Sequence, residues 1–260
     1  MEKLAVITGG SSGLGFEIAK KLGQKGYSLI ILAREKKKLY NAVKELSDEG
    51  YKAKGYQCDI TEEAQLKVVF KEINKTNKKI DYLVLNAGVV TVKLLSDYNN
   101  TIDLKYDLEV NLWGTILSAY VFLPLLCEGS KILMISSGFG LMGAAGYSIY
   151  AASKAGIINF AEALRRELLY KKISVYVACP GDMDTPQFRE EHRNMPAWMQ
   201  KNAPRGMMEA KLAAEKIIKK CRGNKLLIIT SFDVLSLLML IKVLPRRLRD
   251  IILDKMFPTP

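Results

Sequence analysis

Apolar positions along the chain fall into two alternating patterns. Short runs rich in β-branched residues, such as Leu4-Ala5-Val6-Ile7-Thr8 and Leu29-Ile30-Ile31-Leu32, have the near-continuous hydrophobicity of strands buried on both faces. Between them lie longer segments whose apolar residues recur with the 3.6-residue period of a helix packed on one side. The pattern predicts strands at residues 4–8, 28–33, 53–57, 82–86, 131–136, 174–178 and 226–229, and helices at 13–24, 36–48, 62–77, 104–126, 150–170 and 209–220. Strict alternation of strand and helix calls for repeated βαβ crossovers, so the expected fold class is α/β, a doubly wound parallel seven-stranded sheet with helices on both faces. Residues 1–230 are expected to form one domain, with an irregular segment at about 181–208; residues 231–260 form an apolar and basic helical tail of the same domain.

Composition narrows the class without naming it. Apolar residues make up 49% and charged residues 25%, which excludes disordered and collagen-like chains. The four cysteines, Cys58, Cys127, Cys179 and Cys221, lie far apart, so neither a disulfide framework nor a metal site is expected, and a reduced cytoplasmic setting fits. The net charge of +12 is uneven: residues 211–260 hold eleven Lys/Arg against four Asp/Glu. No aromatic-interleaved basic patch accompanies it, so a nucleic-acid partner is not expected. The chain enters a strand pattern at Leu4, without a leader-like or spanning segment before it.

Chemistry first becomes visible after the first strand. Thr8-Gly9-Gly10-Ser11-Ser12-Gly13-Leu14-Gly15 joins a strand to a helix, where backbone N–H groups and a positive helix terminus can meet a pyrophosphate. A second constellation follows the fifth strand. Tyr150 and Lys154 stand at i and i+4 on one helix, thirteen residues after Ser137 at a strand end, where ligands of parallel sheets bind. Tyr40 and Lys44 share the same spacing but have neither the serine nor a strand end, and read as surface residues. A phenol of pKa about 10 is too weak an acid alone, and a nearby Lys154 cation would favour phenolate and lower its pKa, with Ser137 the serine at the right distance to join the pair. The lone His192, flanked by charged residues, reads as surface or lid.

The loop Gly9-x3-Gly13-x-Gly15 with the Ser, Tyr, Lys set resembles the classical short-chain dehydrogenase/reductase family, over nearly the whole length from Leu4 to about Ile229. The resemblance implies a Rossmann-type fold and an NADP(H)-dependent oxidoreductase. It adds Asn111 as the residue that positions a relay water, Asp59 and Ile60 as the adenine contact, Asn86-Ala87-Gly88 as the cofactor border, and Pro180, Gly181 and Thr185 beside the nicotinamide. It also implies a homodimer or homotetramer joined through the helices holding Asn111 and Tyr150. At the end of the second strand this chain has Arg34 where an NAD enzyme would have an acid; with Ser11 it fits the 2′-phosphate, so the expected cofactor is NADPH.

Two features bear on the substrate. The segment PGDMDTPQFREEHRNMP at 180–196 is similar to that of 3-ketodihydrosphingosine reductases, a branch acting on a long-chain lipid ketone. The apolar run at 232–244, followed by Arg246, Arg247 and Arg249, fits an interfacial anchor on the cytoplasmic face of an anionic membrane, with a helix packed on protein as the alternative. The expected partner is therefore a small ketone or its alcohol, of lipid type, with peripheral membrane contact through 232–249. The alternatives are a generic carbonyl or 3-oxoacyl reductase and, outside enzymes, an NADP-binding redox sensor.

Overall fold

The computed structural model of the protein describes residues 2–200 and 207–256. Strand β1 (Lys3–Thr8) leads into helix α1 (Gly13–Gln24), β2 (Tyr27–Ala33) into α2 (Lys36–Asp48), and β3 (Ala53–Gln57) into α3 (Glu63–Asn74). After β4 (Ile80–Leu85) the chain forms α4 (Thr101–Asp107), a π turn at Leu108–Trp113 and α5 (Gly114–Phe122). Next come β5 (Leu126–Ile135), α6 (Ser148–Leu168), β6 (Ser174–Cys179), and the short β7 (Met183–Asp184). The remainder comprises α7 (Pro186–Asn194), α8 (Ala197–Gln200), β8 (Met208–Glu209), α9 (Ala210–Lys220), β9 (Leu227–Ile229), α10 (Phe232–Val243) and α11 (Arg246–Met256).

Seven strands pair in parallel in the order β3-β2-β1-β4-β5-β6-β9. The continuous hydrophobicity of the strands has a direct cause: successive side chains alternate between two buried faces. Leu4, Val6, Leu83, Ile132 and Val175 point into the layer under α3, α5 and α6, where Leu66, Phe122 and Ile157 close the core. Ala5, Ile7, Val84, Leu133 and Tyr176 point the other way, to meet Ile18, Leu22 and Ile217 of α1 and α9. Each fully buried Leu or Ile contributes about 1.5–3 kcal/mol, which pins the register of both layers. Helices leave β1 and β4 toward opposite faces, and the crevice beyond the carboxyl ends of these neighbours is where such sheets hold ligands.

The expected strands and helices are present, with three differences. The helix expected at 104–126 begins at Thr101, loosens into the π turn, and ends before Leu126, which already belongs to β5. It is the one described helix stretch long and apolar enough to cross a membrane, and it lies on the sheet through Leu117, Val121 and Phe122. Second, β5 starts earlier than Lys131 because Gly129, at φ 86°, turns the chain where the pairing to β4 shifts register. Third, the segment at 181–208 is not irregular throughout: it holds α7, α8 and a two-stranded parallel ribbon of β7 and β8. Positions 201–206 of that expected lid lie outside the described residues, as do 257–260 of the tail.

Candidate active site

The carboxyl ends of β1, β2, β4, β5 and β6 open into one cleft of about 990 Å³ that runs from Arg34 to Tyr150. Its floor at β1 is a glycine turn. Gly9 has φ 63°, and a side chain there would place its Cβ 2.6 Å from the Ala87 Cα, so only glycine lets the β1 loop pass beneath the end of β4. Asn86 holds the two together, donating from Nδ2 to the carbonyls of Thr8 (3.2 Å) and Gly9 (3.0 Å). The Thr8 hydroxyl accepts from the backbone N–H groups of Asn86 and Ala87. Sequence reasoning placed Asn86, Ala87 and Gly88 on the cofactor side; the geometry shows that Asn86 also builds the loop opposite.

Ser12 stands at the N-cap of α1 in extended conformation, and its side chain does not cap the helix. The first-turn N–H groups of α1 therefore face the cleft with the positive end of the helix dipole, beside Ser11, Gly13 and Leu14. Gly13, at φ 55°, faces the Thr185 side chain across the cleft. This cradle, with Gly15 behind it, fits a pyrophosphate.

At the far end Arg34 donates to the Tyr106 hydroxyl at 2.9 Å, which holds its fork in place and raises its pKa further. Lys38 also lines this end but is paired to Glu35 at 2.7 Å. The Asp59 carboxylate lines the same wall beside Ile60, and it accepts from the Thr61 N–H (3.0 Å) and hydroxyl (2.7 Å). Asp59 thus shapes the turn into α3 in addition to facing the cleft.

The catalytic candidates converge at the end of β5. Tyr150 sits in the first turn of α6, which starts at Ser148. Ser137 hydrogen-bonds the Tyr150 side chain, and its hydroxyl accepts from the Phe139 N–H at 3.2 Å. Lys154 is 4% exposed; its Nζ donates to the Ile135 carbonyl at 3.2 Å and lies 5.5 Å from the Tyr150 ring centroid. Burial lowers the Lys154 pKa to about 8 and pushes the Tyr150 phenol up; the opposing influence on the phenol is the Ser137 hydrogen bond. Desolvation is thus the dominant influence on both groups of the pair, disfavouring the phenolate and the ammonium alike. Tyr40 and Lys44 are both exposed on α2, away from the cleft, and His192 is exposed on α7, stacked on Phe188.

Asn111 lies fully buried in the π turn. Its Oδ1 accepts from the Val89 N–H (2.7 Å), and its Nδ2 donates to the Val89 carbonyl (2.9 Å) and the Ser153 hydroxyl (3.0 Å). The amide is thereby engaged in fixing the β4 exit to α6. Sequence reasoning missed Asp107, which sits buried one helical turn earlier and clamps Thr91 through both carboxylate oxygens (2.9 and 2.8 Å). It also missed Tyr147, which stacks on Phe139 and donates to Glu191 of α7 at 2.6 Å. Burial raises the Glu191 carboxyl to about 7. The adjacent Glu190 and Glu191 in an otherwise solvated segment were the available signal. Pro180 and Gly181 line the cleft after β6, and Thr185 caps α7 by accepting from the Phe188 N–H.

Residues 3–196 match the short chain dehydrogenase family. The chain is 34% identical over 212 residues to the human 3-oxoacyl-(acyl-carrier-protein) reductase, covering 79% of this chain and 85% of that protein. It is 35% identical over 187 residues to carbonyl reductase family member 4 of Xenopus laevis, covering 71% and 77%. Among solved structures, a short chain dehydrogenase from Burkholderia cenocepacia J2315 in complex with NADP superposes with a TM-score of 0.77 at 26% identity, over 89% of this chain and 98% of that one. The glycine turn under β4, the serine–tyrosine–lysine cluster at the end of β5 and the match over three quarters of the sequence agree, and the chain belongs to the short-chain dehydrogenase/reductase family of oxidoreductases.

Proposed function

We propose that this chain is an NADPH-dependent reductase of ketones, with a long-chain lipid ketone such as 3-ketodihydrosphingosine as its substrate. The carrying observation is that Ser137, Tyr150 and Lys154 meet at one end of a cleft whose other end holds Arg34. The bound cofactor supplies hydride to the carbonyl carbon. Tyr150 gives its proton to the ketone oxygen, and the Ser137 hydroxyl holds that oxygen and steadies the phenolate left behind. Lys154, whose Nζ lies 5.5 Å from the Tyr150 ring centroid, would hold the cofactor ribose. Asn111, held in the π turn by Val89 and Ser153, would position the water that returns the proton. The Arg34 fork, with one N–H on Tyr106, keeps further donors for the 2′-phosphate, and Ser11 adds a hydroxyl.

The lipid reading rests on two supports: the resemblance at 180–196, and the tail. Along α10 and α11, Phe232, Leu235, Met239, Val243, Leu248 and Ile251 are exposed beside Arg246, Arg247 and Arg249, a composition suited to an anionic bilayer surface. The similarity to 3-oxoacyl and carbonyl reductases supports the second reading, a reductase of shorter carbonyl or 3-oxoacyl substrates. Steady-state NADPH oxidation over a chain-length series of long-chain amino ketones, simple ketones and 3-oxoacyl thioesters tests both. A kcat/KM optimum at long alkyl chains is expected; a preference for short thioesters would overturn the lipid reading, and no NADPH oxidation with any ketone would overturn both.

A further inference from the structure

The tail touches the catalytic loop. Val234 is the one described residue of α10 that is fully buried, at 4% exposure, while Phe232, Met239 and Val243 are 82%, 54% and 74% exposed. The Val234 side chain lies against Gly138, the residue after Ser137: a Cβ on Gly138 would sit 3.1 Å from the Val234 Cγ2. Gly138 also donates from its N–H to the Pro180 carbonyl at 3.1 Å. On the next residue, Gly181, an added Cβ would meet the Ser231 hydroxyl at 2.7 Å and the Asp233 carboxylate at 2.8 Å. The first turn of α10 thus backs both the loop that carries Ser137 and the loop that follows β6, and a shift of α10 toward the sheet would press on both glycines.

We infer that α10 is a coupling element: seating its exposed apolar and basic face on an anionic lipid surface fixes Val234 against Gly138 and raises turnover at Ser137 and Tyr150. The inference rests on the proposed ketone reduction and on the membrane-surface reading of the tail. It goes beyond them by joining surface to site. Charge favours the occupant: Lys242, Arg246, Arg247, Arg249 and Lys255 accompany the apolar face, against Asp233, Asp250 and Asp254, so anionic headgroups suit it better than neutral ones. Val234 is a positioning residue in this scheme, because it acts through Gly138.

The test uses the full chain, NADPH and a short water-soluble ketone that does not partition into lipid. Activity and co-sedimentation are measured with phosphatidylserine-containing and pure phosphatidylcholine vesicles. Anionic vesicles are expected to raise kcat between about 2-fold and 30-fold, with little change in the NADPH KM. Val234→Ala should still bind these vesicles yet lose the activation, and Val234→Ile, which keeps the contact, should retain it. NADPH binding followed by fluorescence shows that each variant is folded. Binding without activation in the wild-type chain would overturn the coupling and leave the membrane reading standing. Absence of binding would overturn the membrane reading, and the coupling with it. Equal activation of Val234→Ala and wild type would overturn the route through Gly138, and no turnover of any ketone would overturn the enzymatic reading instead.

Discussion

The Ser136 hydroxyl donates to the backbone carbonyl of Lys154 at 2.8 Å, and this bond separates the roles of two adjacent serines. Ser136 is 3% exposed and ties the end of β5 to α6, whereas Ser137 turns its hydroxyl toward Tyr150. Ser137→Ala should therefore lower kcat by about 100-fold or more, the usual cost of one donor at a developing oxyanion, with melting temperature nearly unchanged. Ser136→Ala should cost about 1 kcal/mol of stability and far less activity. Paired thermal melts and steady-state rates check both, and equal kinetic losses would show that the two serines share the substrate.

Tyr150→Phe removes only the phenolic oxygen. Turnover should fall by at least about 10²–10⁴-fold while NADPH affinity stays within a small factor of wild type, because the ring keeps its edge-on packing against Phe139. Single-turnover mixing reports the chemical step directly. Wild-type rates in this variant would remove Tyr150 as the proton donor.

Legibility in the sequence followed the range of the forces involved. Strands β1, β2, β4, β5 and β6 were readable because burial repeats on two faces, helices α1, α2 and α9 because it repeats on one, and the glycine turn because no other residue passes under Ala87. Tyr150 and Lys154 were readable because one helix sets their spacing, and Ser137 because a strand end fixes its height. What escaped depends on contacts between distant segments. The π turn around Asn111 answers to Val89 and Ser153, 22 and 42 residues away, and no local periodicity encodes it. The Tyr147–Glu191 bond spans 44 residues and needs α7 to fold over the cleft. Desolvation was likewise invisible: the spacing of Tyr150 and Lys154 does not reveal that both are buried.

Arg34→Asp should reverse the cofactor preference. A carboxylate there repels the 2′-phosphate and can accept from a ribose hydroxyl, and it also gives up the bond to Tyr106. The ratio of kcat/KM for NADPH over NADH should drop by about 100-fold or more, of the order expected for loss of a bidentate charge pair. With Lys38 already paired to Glu35, little compensation is expected from it. An unchanged ratio would move phosphate recognition away from Arg34.

Glu191 makes stability depend on pH in a definite direction. Its carboxyl is raised to about 7 by burial, with Asp182 adding repulsion and the Tyr147 hydroxyl opposing. The folded state therefore binds this proton more tightly than the unfolded chain, so the contribution is complete near pH 4.5 and is lost as pH rises through 7. Glu191→Gln keeps an acceptor for Tyr147 and cannot ionise. Its melting temperature should match wild type at pH 5 and exceed it at pH 8, by about 2–4 °C for each kcal/mol involved. A constant gap across that range would mean that Glu191 does not titrate in the folded protein.

Cutting the chain before Pro245 separates lipid contact from catalytic support. The cut keeps α10 whole, including Val234 against Gly138, and removes Arg246, Arg247, Arg249, Leu248 and Ile251 with the rest of α11. Folding, NADPH binding and turnover of a soluble ketone without vesicles should persist, since α11 packs mainly along α10. Affinity for phosphatidylserine-containing vesicles should fall by about 10-fold to 100-fold: each surface arginine contributes about 1 kcal/mol near an anionic bilayer, and Asp250, paired to Arg246 and Arg249, offsets part of it. Raising salt should weaken the intact chain toward the truncated one, because these charges lie within a Debye length of solvent. Vesicle binding that survives the truncation at low salt would place any lipid contact on α10 alone; a truncated chain that loses NADPH binding would show instead that α11 belongs to the protein's own packing.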